Sequence, residues 1–405
     1  LLRILIYDCV GFSAPRRLGV YSSAFPQSVK TLPLLALWAV LAFSGALGVA
    51  GFSEYPRQLP AHLAFAAGAM PLIFAAMGHF VPVLTRSGNP PAAVARLPLL
   101  ALAGGLGAAA SFALPELWLR GPTLFALPAL VAALALMAWI GARARGGLGS
   151  PHPGLWWYLA ALACLVLALL AIPAMEVFPG ARPGLRLWHL HLNTLGFIAL
   201  TATGTLQVLL PTAAGRPDPG AAHRLKRDLP LALLGVLLVA AGSAAGAAFG
   251  HLLSLMGLAL WLLPLLRLAA AWGALYGQVI LRRDGPAASL GSALAGLILL
   301  SLSHGLGLAS GIEAIGGFFL AFLLPLVTGA VSQLLPVWLR PGRQDEWHSG
   351  MRASLSRYAG LRGASFVAAG LGWALGWKFA ALLALPAMAQ FLGTLFLRLP
   401  GKDGP

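Results

Sequence analysis

Six side chains of this sequence combine metal-binding chemistry with a shared place along it: His62, His189, His191, His251, His304 and Glu313. The chain holds only nine histidines, so such a concentration is unlike a random scatter. Neutral imidazole is a good ligand for iron, copper and zinc. Glu313 can pair with a histidine, bind metal, carry protons or simply meet outer water. His189 and His191 stand two residues apart, ~200° around a helix, so they address different sides of it. Asn193, Gly196, Thr203 and Gln207 continue the stripe below His189, and Thr194, Thr201 and Thr205 the one below His191. Polar groups within an apolar span are costly and face a bundle interior, which makes them candidate functional positions. The plainer role is a hydrogen bond to a neighbouring helix. Below His62 come Phe65, Ala66, Ala69, Ile73 and Ala76, small enough in part to admit a flat macrocycle. No CxxCH motif is present, so any heme would be held without a covalent link; Walker, dinucleotide-glycine and HExxH motifs are absent too.

The elements that must position these groups are membrane helices. The 405 residues are 59% hydrophobic and 9% charged, with mean hydropathy +0.84, which excludes a soluble domain. Apolar runs the length of a bilayer crossing recur throughout. The expected fold is all-α and polytopic, with twelve transmembrane helices near 31–52, 61–85, 95–114, 121–142, 154–175, 188–212, 229–249, 251–280, 288–310, 313–339, 359–376 and 378–398. A single membrane domain then covers 31–398, between an N-terminal tail of 1–30 and a C-terminal tail of 399–405. Cys9 and Cys164 stand in unrelated contexts and suggest neither a disulfide nor a CxxC site.

The formal charge of +16 raises nucleic acid as a partner, but the positions of the charges argue for membrane lipid instead. With the N-terminus inside, 21 of the 27 Lys and Arg fall on inner segments, five on outer ones, and Arg267 within the eighth span, from which it is expected to snorkel inward. That is the positive-inside pattern, with both termini cytoplasmic. His152, His223 and His348 then lie in solvated inner loops. His79 lies ~25 Å along the second span from His62 and cannot share its site.

Three even-numbered spans end alike: GHFVPVLTRSG, LQVLLPTAAG and SQLLPVWLRPG, with Pro82, Pro211 and Pro336. Twenty residues before these prolines stand His62, His191 and Gly316. Recurrence every four helices predicts three four-helix units in a pseudo-threefold arrangement, with the metal-capable layer near the outer face.

Twelve helices in three fours, with His near the outer ends of even helices, resembles the catalytic subunit of the heme–copper oxidases. The stretch WHLHLNTLGF, Trp188 to Phe197, also looks like the W-H-x-H-x4-G-F signature of the NnrS family of heme- and copper-containing membrane proteins linked to nitric oxide metabolism. The resemblance implies heme b, and copper beside it, with His62, His189 and His191 as candidate ligands. It also implies a redox partner protein, and a place in a bacterial inner membrane in electron transfer or nitric oxide response. The seventh span has no histidine and the tenth has Gly316 where two others have His, so full oxidase activity is not expected. Two other classes fit the same spans: a secondary transporter, whose sites sit near the midplane, and a cofactor-free structural subunit of a respiratory complex.

Overall fold

A chain crossing hydrocarbon must satisfy its own N–H and C=O groups, and each long apolar run does so as a helix. The structure, a computed structural model, describes residues 27–50, 56–114, 121–146, 149–309 and 311–399, and among them there is no strand. Residues 1–26 and 400–405 of the two expected tails, Cys9 among them, lie outside the described residues. Helix α1 spans Gln27–Ala50. It is followed by α2 (Gln58–Leu84), α3 (Ala92–Ala113), α4 (Gly121–Gly146), α5 (Gly154–Val177) and α6 (Pro179–Ala214). Next come α7 (Ala221–Ala245), α8 (Ala247–Ile280), α9 (Pro286–Gly305) and α10 (Glu313–Leu339). The short α11 (Glu346–Leu355) and α12 (Ala359–Ala374) precede α13 (Lys378–Arg398).

Eleven helices among the described residues are long and apolar enough to cross a membrane: α1 to α10 and α13. The stretch expected as a twelfth crossing forms α12, only 16 residues long and thus ~24 Å from end to end. Burial separates an inner set from a lipid-facing one. The apolar windows of α6, α9 and α10 are each 72% buried and that of α2 56%, whereas α4 and α8 reach 33% and α13 28%. The helices bearing most of the candidate residues are therefore the interior ones.

Helix packing places them. Helix α2 lies against α1, α3 and α10. Helix α6 lies against α5 and α7, with its inner half against α9, and α10 packs against α9, α12 and α1. Close approach is bought with small residues: a Cβ at Gly105 of α3 would stand 2.1 Å from the Ala66 carbonyl oxygen of α2. Ala66, on the small-residue face below His62, is thus spent on contact with α3. Phe65, on another side, meets Phe318 and Phe319 of α10 at 6.0 and 6.3 Å between ring centroids.

The interior helices α2, α6 and α10 share a feature that hydropathy does not announce. Each contains a stretch of π-helix: Leu63–Ala69, Leu192–Ala199 and Phe318–Leu323. Each returns to α-helix and runs on through Pro82, Pro211 or Pro336. The wider π turn shifts the angular phase of everything beyond it, and such segments are frequent at functional sites. On α6 the straight 3.6-residue phasing of two polar stripes therefore does not continue unbroken below His191.

Several inner-side expectations are corrected by the packing. Arg267 does not simply snorkel: its Nη1 donates to Asp228 Oδ1 of α7 at 3.1 Å, and Arg227 donates to the same carboxylate at 2.7 Å. His348 is not solvated but 3% exposed. Its Nδ1 contacts Asp345 Oδ1 at 2.6 Å and its Nε2 the Arg340 carbonyl oxygen at 2.7 Å, so it pins the connection between α10 and α11. His152 is half-buried; its Nδ1 accepts from the Gly154 N–H at 3.2 Å. Burial, then the nearby Arg86, pulls its pKa below the usual histidine value. Only His223 of these three is exposed as expected.

Candidate metal centre

His62 and His191 each occupy the last α-helical position before a π segment. The third such position, at the start of the π segment of α10, is Gly317, with Gly316 before it. Gly316 is packed over by Trp373 of α12, whose Nε1 would lie 2.2 Å from an added Cβ. A histidine has no room there unless the indole moves, which gives a physical reason for the missing third imidazole. The Trp373 Nε1–H is itself buried without a protein partner among the described residues.

Four of the six candidates share one hydrogen-bond arrangement. His62 Nδ1 lies 2.9 Å from the Gln58 carbonyl oxygen, His189 Nδ1 2.8 Å from that of Ala168, His191 Nδ1 2.9 Å from that of Leu187 and His304 Nδ1 3.0 Å from that of Ala309. A carbonyl oxygen only accepts, so each bond requires the proton on Nδ1 and leaves the lone pair on Nε2. Metal-ligating histidines are held in this way: the second nitrogen is tied to a carbonyl or carboxylate, which fixes the tautomer and the ring orientation. At His189 the carbonyl comes from α5, so two helices set its ring. Asn193 donates to the His189 carbonyl at 2.8 Å and its amide nitrogen also lies 3.3 Å from His189 Nε2.

Two of the rings stand together. His191 of α6 and His304 of α9 stand 6.2 Å apart between centroids at a tilt of 50°. Two imidazoles on one ion, with metal–nitrogen distances of about 2.0–2.1 Å, have centroids roughly 4.5–6.5 Å apart, and the observed pair lies toward the upper end of that span. His189 turns to the other side, where its ring is bonded to α5. The His62 ring is stacked on Phe112 of α3 at 4.5 Å. His251, by contrast, is exposed on α8, and Glu313 is half-buried at the start of α10; neither joins a pair. No group of three or more His, Cys, Asp or Glu side chains gathers among the described residues. A closed zinc site needs four ligands from the protein, whereas a heme iron needs only one or two, because the porphyrin supplies the rest. The donor set, neutral imidazoles with unprotonated Nε2, fits heme iron and fits copper with further ligands.

The polar residues of α6 are divided. Thr194 and Thr205 bond back to their own helix, at Leu190 and Thr201, and Thr205 also meets the Tyr158 hydroxyl of α5 at 3.0 Å. Thr201 Oγ1 and Gln207 Oε1, like Gln333 Oε1 and Trp338 Nε1 on α10, are buried without a protein partner among the described residues. His79 is part of this inner half: its ring stands edge-on to Trp338 at 6.2 Å and lines a small crevice with Thr31, Pro82 and Asn89. Neither the known protein-family models nor the curated proteins contain a match to this chain.

Proposed function

We propose that this chain is a heme-binding membrane protein of the heme–copper oxidase and NnrS type, acting in respiratory electron transfer or in the response to nitric oxide, without full oxidase activity. The observation that carries the reading is the shared arrangement of His62, His189, His191 and His304, each with Nδ1 tied to a backbone carbonyl, two of them, His191 and His304, facing one another across two helices. The four rings are half-buried on apolar helices, and metal ligation is a use for neutral imidazoles held there in fixed orientation. The reading is supported by the three π segments at corresponding places on α2, α6 and α10, which suit three four-helix units with α12 as a short twelfth crossing. The inner bias of Lys and Arg suits a bacterial inner membrane with both termini cytoplasmic.

His62 and His189 on one side of α6, and His191 with His304 on the other, would hold heme b and copper. Bound there, heme iron supplies one-electron chemistry and a binding position for small diatomic gases. The chain's own part is to present Nε2 lone pairs, to keep the rings from rotating, and to exclude water with Phe65, Phe112 and Phe318. A redox partner protein would approach from the outer face.

Purified protein expressed with adequate heme supply is expected to show a Soret band that His62→Ala or His191→Ala abolishes. A colourless, metal-free preparation would overturn the proposal and return the choice to a transporter or a structural subunit, which a proteoliposome flux assay separates.

A further inference from the structure

At the inner end of the bundle two connections lock onto one another: residues 281–285, between α8 and α9, and residues 356–358, between α11 and α12. The Gly285 N–H donates to the Ser356 carbonyl at 3.0 Å and the Gly360 N–H to that of Arg283 at 2.9 Å. The Tyr358 N–H donates to Asp284 Oδ1 at 2.6 Å. Tyr358 is held in the left-handed region at φ 59°, a conformation a bulky residue keeps only when its surroundings impose it. The pinned phenol ring carries one guanidinium from each connection: Arg283 Cζ is 4.4 Å and Arg357 Cζ 4.9 Å from its centroid. The two cations are therefore at most about 9 Å apart, and both side chains are exposed, as is Arg282 beside them.

Neither charge has a carboxylate partner among the described residues, unlike three other inner arginines. Arg224 is paired with Asp218, and Arg227 and Arg267 with Asp228. Asp284 is the one carboxylate among residues 281–285 and 356–362, and it is committed to the Tyr358 backbone. The buried Arg362 spends its donors on the Leu355 and Arg357 carbonyls and on Gln390. The excess is thus positive and is held in a fixed geometry. A phosphate bound through N–H···O contacts of about 2.8 Å lies roughly 4 Å from a guanidinium carbon, so one phosphodiester can bridge two that stand up to about 8 Å apart. Leu281, 86% exposed, and Leu361, 56% exposed, flank the cations, and they offer apolar surface for acyl chains next to the charge.

We propose that Arg283 and Arg357, both held at the Tyr358 ring, form the headgroup site for one anionic phospholipid. The proposal is independent of any bound metal. The test is a titration of the full-length, detergent-solubilised chain with phosphatidylglycerol, phosphatidylcholine or inorganic phosphate, followed by native mass spectrometry. Phosphatidylglycerol is expected to bind at one tight site, and R283Q/R357Q to weaken it about tenfold or more, since two charge-assisted contacts are lost. Arg145→Gln, an exposed arginine at the end of α4, is the control and is expected to change nothing. Because Arg357 is exposed, the single variant Arg357→Gln keeps the test open if the double variant elutes as aggregate. Equal binding by variant and wild type, or equal binding of phosphatidylcholine, overturns the proposal. Occupancy by inorganic phosphate at matched affinity assigns the site to a soluble anion and overturns the lipid.

Discussion

The His191 and His304 rings stand 6.2 Å apart across the interface of α6 and α9, although two complete helices separate them along the chain. If they share a ligand, His304→Ala lowers bound metal or heme as much as His191→Ala does, while His251→Ala leaves it unchanged because that ring is exposed on α8. Metal analysis of the three purified variants measures this. Equal loading in His304→Ala and wild type would show that the pair is structural.

Gly105 is where α3 meets the π segment of α2. Alanine there drives a methyl group to within 2.1 Å of the Ala66 carbonyl, and backbone cannot rotate away as a side chain can. Gly105→Ala is expected to destabilise the protein by about 1–3 kcal/mol. Gly141→Ala on α4, with nothing within 4 Å, is expected to be neutral or to stabilise by up to about 1 kcal/mol. Apparent unfolding free energies in mixed micelles compare the two.

Asp228 is 2% exposed and joins α7 to α8 through Arg267. Replacing it with Asn strands two guanidiniums. Their side chains are 36% and 41% exposed, so water screens part of the loss, and the expected cost is about 1–2 kcal/mol rather than the 3–5 kcal/mol of a fully buried pair. In the Asp228→Asn background, Arg267→Leu should recover part of it. A double-mutant cycle that shows no coupling would rule out the pairing.

The connection between α10 and α11 has a pH dependence with a definite sign. The Asp345 carboxyl is held below its ordinary value, first by the His348 ring N–H and then by the His348 backbone N–H. A carboxyl lowered by folding contributes stability that is present above the unfolded pKa of about 3.9 and is lost as pH falls through the folded value. Hydrogen-exchange protection at residues 346–349, corrected for intrinsic rates, is expected to hold at pH 5–7 and to drop below pH ~4. Asp345→Asn should remove the dependence.

Much of this architecture was legible as hydropathy. The crossings before α11 fall close to the apolar runs, because a run of that length has no other way to satisfy its backbone in lipid. The count is less secure at 359–376, where Gly376 adopts positive φ and ends the helical run early. Histidine spacing was equally informative: an HxH pair must look two ways, and His189 meets α5 while His191 meets α9. Burial of His348 and the partnership of Arg267 were not legible, because each depends on a carbonyl or carboxylate supplied by a different element.

Residue order alone determined the membrane-spanning class and the recurrence of proline on α2, α6 and α10, since those follow from composition and local spacing. Only the tertiary structure decided which imidazoles meet. The π segments reset the helical phase, and the neighbours α5 and α9 supply the Ala168 carbonyl and the His304 ring. Helical periodicity is local, whereas a ligand pair is a distance between helices, and that distance is set by how small residues such as Gly105 and Gly316 let backbones and rings approach.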